Sequence, residues 1–421
     1  MTLLELVGVL AAVVAVLGFI NHRFIRLPEI IGITAAGAVV ALLLALVGRH
    51  VPAVVDWAKA FAAHIDFSAL VFDGLLGVLL FAGSLHVHIA DLAKQKWPVL
   101  VLATIGVALS TVLVGYGAYA LLAVMGLPVP LKYCLLFGAL ISPTDPIAVL
   151  GVLKTVGAPK PIEMDIAGES LFNDGTGVVA YLFLLGIATG ASEPSWSGIA
   201  KLVALEIGGA LVLGFAVGYI AFAMLKGLDS YAVEILVTIA LATGGYALAQ
   251  RLHVSGPLAV VVMGLVIGNH AAKSAMSETT RRNLFQFWEL VDEILNLMLF
   301  GMIGLMLVAL TDLGRSWWLA IAMVPVVLLA RLASVAGPAL LLRPFVRHRT
   351  PHAVKVLTWG GLRGGLSVAL ALSLPSFEER ELFVMATYCV VLFSLLVQAP
   401  TLGLLLRRLG VVKKRPRPSP G

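Results

Sequence analysis

Two short polar interruptions sit inside sequence that is otherwise apolar enough for a membrane interior. They are Ser142-Pro143-Thr144-Asp145-Pro146 and Gly168-Glu169-Ser170-Leu171-Phe172-Asn173-Asp174-Gly175. Together they carry three carboxylates, Asp145, Glu169 and Asp174, with apolar residues on both sides. A charge at bilayer depth is expensive, so each group needs an ion, a proton or a counter-charge. Any fold for this chain has to supply those partners. A site that moves a cation and a proton does so directly.

The rest of the chain supports a membrane setting. Of its 421 residues, 60% are hydrophobic and 12% are charged, against about 25% charged in an ordinary soluble domain. Apolar runs of roughly 18 to 27 residues recur, the length of a helix across about 30 Å of hydrocarbon. Alternating segments of about 10 residues, the mark of a β-barrel, are missing. The expected fold class is an all-α polytopic membrane protein. The formal net charge is +6, but the basic residues lie in loops between apolar runs. That is a topology signal and not a nucleic-acid face. Cys134 and Cys389 sit in apolar runs and offer no disulfide framework. No resident metal or cofactor is expected. The apolar stretch 3–20 lacks a basic leader and a small-residue cleavage site, so it reads as a first span and not as a signal peptide.

Charges, prolines and glycines divide the chain into thirteen spans, near 3–20, 29–48, 67–88, 98–125, 130–153, 162–190, 198–225, 231–250, 256–269, 286–310, 316–342, 353–374 and 382–406. Residues 51–66 carry Asp56, Lys59, His64 and Asp66 and read as an interfacial helix. With the N-terminus outside, Lys and Arg split 20 to 7 in favour of the inner loops, which places the C-terminus in the cytoplasm. The transmembrane unit is read as 1–410. Residues 411–421, VVKKRPRPSPG, read as a short basic, disordered tail held near anionic headgroups.

Span five is interrupted. Pro143 and Pro146 remove backbone donors, so a continuous helix through 142–146 is not expected. Carbonyls freed there must line a cavity or meet protein. Thr144 and Asp145 then offer oxygens suited to a hard monovalent cation. A plain proline kink is the competing reading, and it leaves Asp145 unexplained. Span twelve, Trp359-Gly360-Gly361-Leu362-Arg363-Gly364-Gly365, is interrupted as well. Its glycines allow unwinding or close backbone approach, and plain glycine-rich packing is the alternative. Interruptions at matching places in two halves point to inverted repeats whose broken helices cross at a midplane site.

Span six carries the second polar cluster. At 100° per residue Ser170 and Asp174 lie about 40° apart, whereas Glu169 and Asp174 diverge by about 140°. Asp174 is assigned to the cavity as ion ligand and proton carrier, with Ser170 beside it and Asn173 orienting the ligands or hydrogen-bonding the facing broken helix. Glu169 is assigned to a buried pair with Arg331 of span eleven. Arg363 is left to stabilise the span-twelve crossing, with Pro143, Pro146, Gly361 and Gly364 shaping it. Asp73, Glu206, Glu234, Asp292, Glu293 and Asn296 are read mainly as packing or interface residues, with Asn296 placed to contact the core.

The ordered set SPTDPIAV, GESLFNDGTGVV, LLARLASV and WGGLRGG resembles the monovalent cation:proton antiporters of NhaP/NHE type, over nearly the whole chain. The resemblance implies a thirteen-span fold with a six-helix core and a dimerisation bundle. It implies a homodimer in the cell membrane that works by an elevator movement, with Na⁺ and H⁺ as substrates. Carried over, Asp174 of the Asn173–Asp174 pair binds ion and proton, Thr144, Asp145 and Ser170 complete the transported Na⁺ site, and Glu169 pairs with Arg331. An Asn-Asp pair resembles the electroneutral branch. Many relatives have a phenylalanine–glutamate step near the end of the third span. This chain has Phe81-Ala82-Gly83-Ser84 there, so ion selectivity and pH dependence do not carry over. Li⁺ or K⁺ exchange through the same oxygens stays open. A cation channel is disfavoured because no filter of repeated carbonyls or charge rings is evident.

Overall fold

In lipid every backbone N–H and C=O has to find a partner inside the protein, and a chain without strand alternation meets that demand with helices. The computed structural model describes residues 3–48, 66–191, 196–228, 230–271, 276–310, 317–341 and 352–412, and among them there is no strand. In chain order the helices are α1 (Leu3–Ile20), α2 (Glu29–Gly48), α3 (Phe67–Leu85), α4 (Lys96–Val124), α5 (Leu131–Ile141) and α6 (Ile147–Val156). Then follow α7 (Lys160–Thr189), α8 (Lys201–Leu225), α9 (Tyr231–Arg251), α10 (Gly256–Val266) and α11 (Glu278–Met306). The last four are α12 (Trp317–Leu341), α13 (Ala353–Trp359), α14 (Gly365–Leu372) and α15 (Arg380–Arg408). Eight of the described helices are long and apolar enough to cross a membrane, so the chain is a multi-pass membrane protein.

Helix ends follow local chemistry more than hydropathy. Pro161 opens α7, and Gly190 closes it in the left-handed region at φ 76°. The Ser277 hydroxyl accepts the Thr280 N–H at 3.3 Å and caps α11. That cap is why α11 begins at Glu278, ahead of the apolar run expected from 286. The interfacial helix read at 51–66 lies outside the described residues except for Asp66, whose carboxylate accepts the Ala69 N–H at 2.9 Å and caps α3. The tail beyond 412 also lies outside them.

The helices pack in two groups. In one, α1, α2 and α11 lie together, α9 packs on α11, and α10 joins α3 to α8. In the other, α4 packs on α5, α5 on α7, and α12 on both α4 and α15. The same group takes in α6 and α14, which lie against α15, and α13, which lies against α12. The groups meet where α10 packs on α7 and where α3 and α11 reach α14.

Candidate ion site at a crossing of broken helices

The α5–α6 break is a backbone problem with a side-chain solution. In a continuous helix the Ser142 carbonyl would accept from residue 146, but Pro146 has no N–H. The Pro143 carbonyl would accept from Ile147, but the Ile147 N–H turns instead to Asp145 Oδ1 at 2.9 Å. Arg363, 1% exposed, fills both gaps: its Nη1 donates to the Ser142 carbonyl and, at 2.8 Å, to the Pro143 carbonyl. Among the described residues no carboxylate lies within ion-pair range of Arg363, so carbonyls at the C-terminal end of α5 balance its charge. The Asp145 carboxylate caps the opposite partial charge, at the start of α6.

The second break lies against the first. The Asp145 N–H donates to the Leu362 carbonyl at 2.8 Å, joining the two unwound segments directly. None of Gly360, Gly361, Gly364 or Gly365 takes a left-handed backbone. Space is what they provide. A Cβ on Gly364 would overlap the Asp145 carboxylate, and one on Gly361 would overlap the Arg331 guanidinium. Gly364→Ala is therefore expected to cut transport more than about tenfold in folded protein, since overpacking costs about 1–3 kcal/mol and falls on the site itself. Gly208→Ala, where a Cβ meets nothing within 4 Å, serves as the control and should stay near wild type. Initial rates in proteoliposomes made with equal amounts of monodisperse protein test the pair.

Helix α7 runs unbroken for 30 residues through the Asn-Asp-Gly step. Its faces sort the polar residues as the 100° geometry requires. On one face Glu169, 1% exposed, takes a bidentate pair from Arg331 of α12 at 2.5 and 2.9 Å. Arg331 Nη2 also donates to the Leu357 carbonyl at 3.1 Å, near the end of α13. On another face Ser170 Oγ and Thr144 Oγ1 share a hydrogen bond of 2.9 Å. Asn173 braces that contact from both sides. Its Nδ2 donates to Thr144 Oγ1 at 2.7 Å, and its Oδ1 accepts the Thr144 N–H at 3.2 Å. Asp174 is half-buried, and no described residue donates a hydrogen bond to its carboxylate.

Asp174, Ser170, Thr144 and Asp145 line one cavity of about 600 Å³. Asn173 stands behind this wall and not on it. Pro143, Pro146 and Gly364 border the same space, while Gly361 and Arg363 pack behind the crossing beside Arg331. The cavity is also lined by Asp292, Glu293 and Asn296 of α11, residues that sequence reasoning takes mainly for packing. Their spacing of three and four on one helix face is the signal that marks them. Gly83 lines the cavity too, whereas Ala82 is completely buried away from it.

The family model described as "Sodium/hydrogen exchanger, transmembrane" matches residues 9–408. The Na(+)/H(+) antiporter NhaP of Pseudomonas aeruginosa is 47% identical over 411 residues, covering 97% of this chain and 97% of that protein. The Na(+)/H(+) antiporter NhaH of Halobacillus dabanensis is 35% identical over 395 residues, covering 93% and 94%. In fold, the chain resembles the sodium proton antiporter MjNhaP1 from Methanocaldococcus jannaschii, with a TM-score of 0.72 at 21% identity over 97% of this chain and 99% of that one. Matches of this length span nearly the whole chain, and the chain belongs to the transmembrane sodium/hydrogen exchanger family.

Proposed function

We propose that this chain is a secondary transporter that exchanges Na⁺, or Li⁺, for H⁺ one for one, with Asp174 as the shared site. The observation that carries the reading is the state of the carboxylates on α7. Glu169 has its charge cancelled by a bidentate arginine. Asp174 stands on the cavity wall without a hydrogen bond from any described residue, next to the oxygens of Ser170 and Thr144. A carboxylate in that position is neutralised by a bound cation or by a proton, and not by both together. Either passenger removes the charge that would otherwise oppose movement through a low-dielectric barrier. An empty, charged site stays put, so the two passengers can only be swapped.

In this reading the α5–α6, α13–α14 crossing and the helices around it form the six-helix core of an inverted-repeat fold. That core moves in elevator fashion against the α1, α2, α11 group, within a homodimer in the cell membrane. The excess of basic residues on one set of loops supports a cytoplasmic C-terminus and an outer N-terminus. Lys154 of α6 belongs to that inner set and lines the cavity, so the described conformation faces inward. Proteoliposomes loaded with a pH-sensitive dye test the exchange. Na⁺ and Li⁺ should collapse an imposed pH gradient, and K⁺ at equal concentration should not. A valinomycin-imposed membrane potential should leave the rate unchanged. A current, or a rate that follows the potential, would contradict one-for-one exchange, and a response to K⁺ alone would shift the substrate to potassium.

A further inference from the structure

Helix α11 carries a polar stripe that the exchange cycle, as described, leaves without a task. Glu289, Asp292, Glu293 and Asn296 stand at spacings that share one helix face, and all four line the cavity that holds Asp174. Exposure differs across the stripe: Glu289 and Glu293 are exposed, Asp292 is half-buried and Asn296 is 1% exposed. Asn296 is the unusual member. Its Nδ2 donates to the Asp292 carbonyl at 2.8 Å, which sets the orientation of the amide. Its Oδ1 is buried and has no hydrogen-bond partner among the described residues. Leaving such an acceptor unsatisfied is costly. An acidic residue one turn away, on a cavity wall, makes a cation the matching ligand, since carboxylate and amide oxygens are the donors that hard cations take.

We infer that Asp292 and Asn296 form a second, waiting position for the transported alkali cation, on the part of the cavity wall that α11 supplies. The inference rests on the exchange reading and adds a step to it. Asp292 supplies the charge, and Asn296 Oδ1, more deeply buried, supplies a neutral oxygen. Both belong to the helix group of α1 and α2, whereas Asp174 belongs to the group built around the crossing. The position therefore stays behind when Asp174 leaves, and it is refilled while Asp174 is away. Its effect is on how much Na⁺ the transporter needs, and not on how fast a loaded site crosses.

That distinction supplies the test. Na⁺-driven proton efflux is measured in proteoliposomes over a range of Na⁺ at constant ionic strength, with choline as the balancing cation. For Asp292→Asn and Asn296→Ala the half-saturating Na⁺ concentration should rise about tenfold with maximal rate within about twofold, the pattern of lost ground-state binding. Glu293→Gln, at the exposed side of the stripe, should stay within about twofold of wild type in both parameters. If neither Asp292→Asn nor Asn296→Ala moves the half-saturation point, the waiting position does not exist. Equal shifts for Glu293→Gln and Asp292→Asn would also overturn it, because they would mean a diffuse field and no built site. So would a fall in maximal rate at unchanged half-saturation. If Asp292→Asn does not fold, Asp292→Glu and Asn296→Ser carry the test: the first should keep wild-type half-saturation, and the second, which retains an oxygen, should shift it less than Asn296→Ala. A wild-type protein that moves no protons in response to Na⁺ defeats the exchange reading. An active wild type with an unaltered Asp292→Asn defeats only the waiting position.

Discussion

Asp174→Asn is expected to eliminate Na⁺-driven proton movement in proteoliposomes and to leave the protein folded. The two side chains have the same shape, and the carboxylate makes no hydrogen bond to a described residue that the amide would lose. Helix α7 is continuous through this position, so no cap or turn depends on the charge. What disappears is the capacity to accept a proton and to neutralise a cation. The rate should fall by about 100-fold or more, equivalent to upwards of ~2.7 kcal/mol of lost passenger binding. A measurement independent of transport accompanies it. Added Na⁺ should raise the thermal midpoint of the purified wild type, as any ligand of the folded state does, and should leave the variant's midpoint in place. Normal exchange by the asparagine variant would end the account of Asp174 as the shared site.

The second large effect is on folding. Arg331→Ala strands the Glu169 carboxylate at 1% exposure with no cation beside it, and the Leu357 carbonyl loses a donor as well. Breaking one side of a buried ion pair costs about 3–5 kcal/mol, against total stabilities of about 5–15 kcal/mol. The expected result is a steep loss of monodisperse protein on size-exclusion chromatography and a lowered thermal midpoint. Adding Glu169→Gln to Arg331→Ala should restore much of both, because the second change removes the stranded charge. Arg331→Lys should rescue poorly, since a single ammonium does not reproduce a forked pair that also reaches the Leu357 carbonyl. Arg331→Ala at full yield and midpoint would show that Glu169 has another partner.

Much of this architecture is legible in the residues themselves. Apolar runs of bilayer length locate the helices. Pro143 and Pro146 mark the interruption at 142–146, because a residue without an N–H breaks the ladder wherever it falls. The angular separation of Glu169 from Asp174 follows from helix geometry alone. So few charges lie deep in apolar sequence that Glu169 and Arg331 are natural partners. Other features were not legible, for reasons that are equally physical. Which carbonyls Arg363 would meet depends on how two breaks register against each other, a tertiary property. The glycines near Arg363 could have supplied either unusual backbone angles or room, and only the packed chain shows that Asp145 and Arg331 occupy the room. The stripe on α11 reads as packing because Asp292 and Glu293 sit close to the expected start of a span, where charges are ordinary. The helix in fact begins at Glu278, so those residues lie well inside it.

The unbroken course of α7 has one more consequence. A single stiff rod carries both the permanently balanced Glu169 and the switchable Asp174, five residues apart. Arg331 fastens that rod to α12 by two hydrogen bonds, and a third ties α12 to the end of α13. Asp174 therefore cannot be tipped toward the other side of the membrane by bending its own helix, because bending would tear the fastening. In the proposed cycle, whatever displaces Asp174 has to bring α12 and α13 along as cargo, and sliding falls at the seams with α3, α10 and α11, where no ion pair is found among the described residues.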